Sequence, residues 1–167
     1  FASYIKGYKL AWVHCDYSEY FNLEKKDELS IYNKFSNIIC VSNYTKDVFL
    51  DFYPALKNKC HGIHNMIDDI NIKKMASEAN AIDVRFNTEN FRILSVGRLS
   101  KVKRFDIIPS IAKELKEHGY KFTWYILGDG DEKDQIISLI QKHEVSDEVI
   151  LLGEKANPYT YFAGSDL

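Results

Sequence analysis

Apolar residues along this chain fall into short runs separated by helix-period stripes, the pattern of alternating strands and helices. Leu10 to His14 and Ser36 to Val41 are apolar runs rich in β-formers and predict two buried strands. Between them Glu24 to Phe35 carries a charged surface with Leu29, Tyr32 and Phe35 at helical spacing, which predicts a crossover helix. Ser42 offers a side-chain oxygen at the end of the second run. Tyr44 to Phe52 follows with Val48 and Phe52 on one face, so a helix capped at Ser42 is expected. Cys60 to His64 predicts a third short strand. From Asn65 the pattern turns polar and irregular, with a helical stretch over Ile70 to Ala79, and strand character returns at Phe91.

The second half is clearer. Phe91 to Val96 predicts a strand, and Phe105, Ile108, Ile111, Ala112 and Leu115 form one helical stripe that closes at Gly119, a good left-handed cap. Lys121 to Leu127 predicts the next strand, Glu132 to His143 a helix with Ile136, Leu139 and Ile140 facing inward, and Val149 to Leu152 a last strand ending at Gly153. This βαβαβ order implies an α/β fold, a parallel sheet covered by helices on both faces with right-handed crossovers. Ligands of such sheets bind beyond the carboxyl ends of the strands. The search for chemistry therefore narrows to Cys15 to Tyr20, Ser42, Gly97 to Lys103, Gly128 to Asp131 and Glu154 to Asn157.

Composition changes this picture only at the margins. Of 167 residues 46% are hydrophobic and 28% charged, which suits a globular domain. The 22 Lys and Arg nearly balance 24 Asp and Glu, so no overall field favours nucleic acid or an anionic membrane, and any anion site must be local. The aromatic residues are spread along strands and helices without a basic platform for stacking bases, so no nucleic-acid partner is expected. Cys15, Cys40 and Cys60 are odd in number and not a disulfide framework, which suits a reducing cytoplasm. No apolar run is long enough to span a bilayer. His61 and His64 lie three apart in a predicted strand and so point to opposite faces, and no carboxylate or cysteine pattern completes a metal site.

Gly97-Arg98-Leu99-Ser100-Lys101-Val102-Lys103-Arg104 places four cations between a strand end and a helix start. Helix N-termini attract anions, and Arg98 and Lys103 add charge-assisted bonds, so a phosphate or diphosphate site fits; so does a solvated cationic loop. Gly97 is expected to allow a sharp turn and a close ligand. Gly128-Asp129-Gly130 fails as a dinucleotide fingerprint because the third glycine would fall at Lys133. It reads as a tight loop at the carboxyl edge of the sheet, lining a cleft or serving turn chemistry alone. Asn157-Pro158 predicts a cap with proline at the first helical position.

From Ile93 to Leu167 the chain resembles the C-terminal domain of the family-4 retaining glycosyltransferases. The resemblance lies in Val96-Gly97-Arg98-Leu99-Ser100, Lys103, Phe105-Asp106, Gly128-Asp129-Gly130, Leu152-Gly153, Asn157-Pro158-Tyr159 and Ser165-Asp166-Leu167. Trp12-Val13-His14, Val41-Ser42 and His64-Asn65-Met66-Ile67-Asp68 resemble the end of that family's N-terminal domain. The resemblance implies a GT-B fold, with parts of two Rossmann-like domains. Residues 1–75 are expected to close the acceptor-side domain, 76–90 to link, and 91–167 to begin the donor-binding domain.

The resemblance further implies that Arg98 and Lys103 hold the diphosphate of a UDP- or GDP-sugar. Gly97, Gly128, Asp129, Gly153, Glu154 and Lys155 would line the donor site, and His14 would face the donor sugar across the interdomain cleft. The residues themselves also allow His14 to cap a strand end. Front-face transfer needs no protein base, and no metal or other cofactor is expected. Arg104 stands where the family usually has glycine. The family's E-x7-E segment and its glycine-rich acceptor loop are expected to lie outside this polypeptide, which is then an internal fragment, inactive alone. The acceptor is expected to be a glycan or lipid-linked sugar in cell-surface polysaccharide or capsule synthesis, in the cytoplasm, with peripheral association at the inner membrane face. A sugar-nucleotide epimerase of the same fold and a non-catalytic nucleotide-binding module are the alternatives.

Overall fold

Two parallel three-stranded sheets organise the chain, as the alternation of strands and helices requires. The computed structural model describes residues 6–14, 28–78, 83–86 and 88–167. It divides into two units, Phe1–Ile67 and Asp68–Leu167.

In the first unit β1 (Leu10–Val13), β2 (Asn37–Cys40) and β3 (Cys60–Gly62) pair in that order, all parallel. Helix α1 (Glu28–Tyr32) stops short of the expected Phe35, where Lys34 N bonds back to Ile31 O and the chain turns tightly. The Lys59 ammonium closes that end by donating to the carbonyls of Tyr32 and Phe35, both at 3.0 Å. Expected helical residues 24–27 lie outside the described residues. Helix α2 (Asn43–Phe52) starts as expected, with Ser42 Oγ accepting from Thr45 N at 2.9 Å. Thr45 and Phe49 are its buried positions, while Val48 and Phe52 are half-buried. The core joins Val13, Ile38, Cys40, Phe49, Leu56 and Cys60. Cys40 and Cys60 are free thiols with sulfurs 3.6 Å apart; burial, followed by the hydrogen bond with Cys60, pushes Cys40 up to about 12. Cys15 lies outside the described residues.

The second unit begins with α3 (Asp69–Ala76), capped by Asp68 Oδ1 accepting from Asn71 N at 3.0 Å. Strands β4 (Phe91–Val96), β5 (Phe122–Leu127) and β6 (Val149–Gly153) follow in spatial order β4-β5-β6, all parallel. β5 alternates between two cores. Phe122 and Ile126 pack with Ile108 and Ala112 of α4 (Ile108–Glu117) and with Ile136 and Ile140 of α5 (Lys133–Lys142). Tyr125 and Leu127 point the other way, onto Phe86, Leu152 and Tyr161 of α6 (Tyr159–Ala163). Burial on both faces is why these strands read as unbroken apolar runs. Gly119 adopts φ +79° just past α4, the left-handed cap its position predicted.

Helix α3 packs against α6, and Asn157 ties the two together: its Nδ2 donates to Met75 O at 2.8 Å and its Oδ1 accepts from Tyr159 N at 3.1 Å. The first unit ends at Ile67, so α3 belongs with the second. Ahead of β4, Val84–Phe86 form a 3-10 turn that buries Phe86 in the second core.

The chain then returns to the free side of β4, where Asp166 N and Leu167 N donate to Arg92 O and Leu94 N donates to Leu167 O at 2.8 Å. β4 is thus flanked by β5 on one side and by residues 166–167 on the other. The connection reverses direction there, so the carboxyl end of β4 is a topological switch point.

Tyr161 is wholly buried, packs edge-on to Phe86 at 5.1 Å, and its hydroxyl accepts from Asp83 N at 2.9 Å. Tyr161→Ala is expected to cost about 3–5 kcal/mol and Tyr161→Phe about 1–2 kcal/mol, the latter for the orphaned Asp83 N–H, both measured by denaturant unfolding.

Candidate functional site

The three loops beyond β4, β5 and β6 are stitched together by their backbones. Gly97 N donates to Leu127 O, Leu99 N to Asp129 O, Glu132 N to Leu99 O and Gly128 N to Gly153 O, at 2.9 to 3.0 Å. Leu99 is fully buried and anchors the first loop in the core. Gly128 (φ +138°) and Gly130 (φ +158°) are required twice over, since a Cβ on either would also overlap the carbonyl of Gly97 or Leu99. Gly97 is different: its φ is not left-handed, and a Cβ would meet only the Phe105 ring at 3.4 Å. The sharp turn expected at Gly97 falls at Gly128 and Gly130 instead.

These loops enclose a pocket of about 400 Å³ lined by Val96, Gly97, Arg98, Leu127, Gly128, Asp129, Glu154, Lys155 and Pro158. It brings together six expected donor-site residues. Gly153 adjoins it from the end of β6, with φ +74°, after a bulge that leaves Leu152 unpaired in the register. Bulges of this kind re-aim the residues that follow.

Arg98 projects into solvent, its guanidinium only 3.8 Å from exposed Asp131. Asp129 is committed to local structure, accepting from Gly130 N at 2.8 Å and from Lys133 Nζ at 3.0 Å. The Lys133 ammonium, then the Gly130 amide, hold its carboxyl below the usual range. Lys103 does not share the pocket with Arg98; it lines a neighbouring depression with Ser95, Arg104, Phe105, Ile108 and Trp124, the two meeting at Val96. The reason is local geometry. No α-helix begins at Lys103: 3-10 turns at Lys101–Lys103 and Phe105–Ile107 intervene, and α4 starts only at Ile108. Arg104 joins the two turns at φ 54°, ψ 36°, a left-handed conformation in which glycine sits without strain.

At the other end of the pocket Lys155 Nζ lies 2.8 Å from Asp83 Oδ2, and the same carboxylate accepts from Arg85 Nε at 2.9 Å and NH2 at 2.8 Å. Bonds from Arg85 first, then Lys155, hold Asp83 well below the usual carboxylate range. Sequence reading missed Asp83 and Arg85, which sit in the stretch taken as a connection; only the apolar Phe86 beside them marks it as buried. His14 belongs to the first unit, exposed just beyond β1 with its ring stacked on Trp12 at 6.0 Å. Cys15 to Tyr20 lie outside the described residues. β3 ends at Gly62, so His64 is outside the strand, and His61 bonds Asn37 Oδ1 at 2.9 Å. Among the described residues no group of three or more His, Cys, Asp or Glu is placed to hold a metal ion, and no helix is long and apolar enough to cross a membrane.

Residues 77–167 match the family model "Glycosyl transferases group 1". The chain is 37% identical over 105 residues to the N-acetylgalactosamine-N,N'-diacetylbacillosaminyl-diphospho-undecaprenol 4-alpha-N-acetylgalactosaminyltransferase of Campylobacter jejuni, covering 63% of this chain and 26% of that protein. It is 33% identical over 87 residues to the amylovoran biosynthesis glycosyltransferase AmsD of Erwinia amylovora, covering 51% of this chain and 24% of that one. The chain spans about a quarter to a third of the length of the curated relatives it matches. Among solved structures, a mutant of S. aureus TarM in complex with fondaparinux, alpha-GlcNAc-glycerol and UDP superposes at TM-score 0.69 with 20% identity over 96% of this chain and 31% of that one. Anabaena HepE in complex with UDP-glucose superposes at 0.67 with 19% identity over 94% and 44%. These solved structures share the GT-B fold with this chain.

Two outcomes follow from the site's geometry. Arg104→Gly removes a left-handed strain of about 1–2 kcal/mol, against about 0.5–1 kcal/mol for the freer unfolded glycine and a few tenths for the exposed ion pair to Asp106, so denaturant unfolding should show a small net gain of about 0.5 kcal/mol. Because Asp83 has a depressed pKa when folded, its stabilisation is present above the unfolded value near 4 and is lost as pH falls below it. Unfolding free energies from about pH 5 to 2 should therefore drop more steeply in the wild type than in Asp83→Asn.

Proposed function

Because the chain belongs to the glycosyl transferases group 1 family, we propose that it forms the donor-binding part of a retaining, metal-independent enzyme of the family-4 type. That enzyme moves a sugar from a UDP- or GDP-sugar to a glycan or lipid-linked acceptor in cell-surface polysaccharide assembly. The observation that carries this reading is the pocket at the switch point, where Gly97 and Arg98 meet Gly128, Asp129, Glu154 and Lys155. The UDP in the TarM complex and the UDP-glucose in the HepE complex support a nucleotide-sugar donor. The undecaprenol-linked and amylovoran names of the two relatives support the acceptor class.

Mechanistically, the glycosidic bond to the diphosphate breaks as the sugar leaves, and negative charge builds on the departing phosphate. A cation fixed there stabilises the transition state more than the ground state. Arg98 fits that role, since it is exposed at the carboxyl end of β4 and its one carboxylate neighbour, Asp131, is a distant, solvated partner. A guanidinium also meets a phosphate through two parallel N–H groups. Lys103 is a second cation, in the depression that adjoins the pocket at Val96, and a diphosphate extending past Val96 would meet it. His14 is assigned to the donor sugar. Transfer on one face of the sugar lets the leaving phosphate take the acceptor proton, so no carboxylate pair is called for. Catalysis takes place in the cytoplasm, at the inner membrane face where the acceptor is lipid-linked.

In the full-length protein Arg98→Ala is expected to lower kcat by about 10²–10³-fold, equivalent to about 2.7–4 kcal/mol, and Lys103→Ala by at least tenfold. Turnover of a panel of nucleotide sugars, with the product anomer read by NMR, checks both variants. Activity should survive EDTA, and its loss there would remove the metal-free mechanism. Hydrolysis and epimerisation of the donor without transfer would point to the epimerase instead.

A further inference from the structure

The Lys155 ammonium is held in place from beneath. Its Nζ is 2.8 Å from Asp83 Oδ2, and its side chain is three-quarters buried. Asp83 is itself immobilised: Arg85 grips both carboxylate oxygens, Arg85 NH1 donates to Leu151 O at 3.1 Å, and Asp83 N donates to the buried Tyr161 hydroxyl at 2.9 Å. One carboxylate thus serves two cations, so the cluster keeps one positive charge, and one member of that cluster lines the pocket. Beyond a purely structural clamp, this arrangement fixes a long, flexible cation where a ligand passes.

Position along the sheet decides which part of the ligand that is. β4 and β6 flank β5, so Arg98 and Lys155 stand at the ends of strands two spacings apart, about 10 Å. That is the reach of a nucleoside diphosphate from its phosphates to its nucleoside. We propose that Asp83 is a positioning residue that holds Lys155 against the nucleoside half of the donor, and so sets nucleotide affinity without touching the bonds that break. The proposal rests on the donor-site reading above. Lys155 lies away from the phosphate on which charge develops, so it binds ground and transition states alike.

UDP and GDP titrated calorimetrically into the full-length protein test this, in the wild type, Asp83→Asn, Lys155→Met and the double variant. Each single variant should raise Kd about threefold to tenfold, and the double variant should be no weaker than the worse single. Donor KM should rise in step with kcat unchanged. Thermal melts run alongside separate loss of fold from loss of affinity. A lower melting temperature with unchanged Kd in Asp83→Asn makes Asp83 a structural strut and overturns the proposal, as do additive effects in the double variant. If Asp83→Asn does not fold, Lys155→Met alone decides, and an unchanged Kd there is equally fatal. Failure of the wild type to bind either nucleotide sinks the donor-site reading and this proposal with it, whereas normal wild-type binding with indifferent variants sinks this proposal alone.

Discussion

Close backbone packing at the carboxyl edge of the second sheet is the constraint on which the site depends. The loop after β4 is pinned by the buried side chain of Leu99, and the loop after β5 lies so near it that positions 128 and 130 have no space for a Cβ. The amides of both loops donate into each other and toward β6. Backbone that is hydrogen-bonded in this way costs little to hold rigid, and rigid loops on a packed sheet are where a binding constellation can be kept within the tolerance that chemistry needs. Every pocket-lining residue after β4 and β5 takes its position from this stitching.

Charge at the site is arranged by the same economy. The chain is nearly neutral, so any attraction for an anion must arise from where a few cations are left uncommitted. Lys133 is spent on Asp129, Arg104 on Asp106 and Arg85 on Asp83. Arg98 keeps only a long contact to a solvated carboxylate, and Lys155 shares its partner with another cation. Asp129 and Asp83 therefore act as anchors, the one for Lys133 and the loop backbone, the other for Arg85 and Lys155.

The second unit also explains why residues before β4 matter to a site beyond its far end. Phe86 inserts between Tyr125 and Tyr161, with ring centroids 4.5 and 5.1 Å away. That insertion fixes the 3-10 turn on the face of the sheet opposite α4 and α5, and it delivers Asp83 to the loop that follows β6. Asn157 completes the arrangement by bonding the last turn of α3 and the first turn of α6 at once.

Much of this was legible from residue order. The strand at Phe91–Val96, the parallel βαβαβ order, the Ser42 cap and the left-handed Gly119 all follow from periodicity and local stereochemistry, which act over a few residues and leave their mark in the chain itself. Gly97, Arg98, Gly128, Asp129, Glu154 and Lys155 share one pocket for the same reason: they sit directly after strands, and a parallel sheet carries all its strand ends to one edge. The rest became visible only in the folded chain. Lys103 was separated from Arg98 because two 3-10 turns, joined by a left-handed Arg104, rotate it into the adjoining depression. Helix α2 buried Thr45 and Phe49 and left Val48 and Phe52 half-buried. Asp83 met Lys155 from 72 positions away along the chain. No spacing rule encodes such a pairing, because it depends on how Phe86 packs between two distant tyrosines, and packing complementarity is a property of surfaces that exist only after the chain has folded.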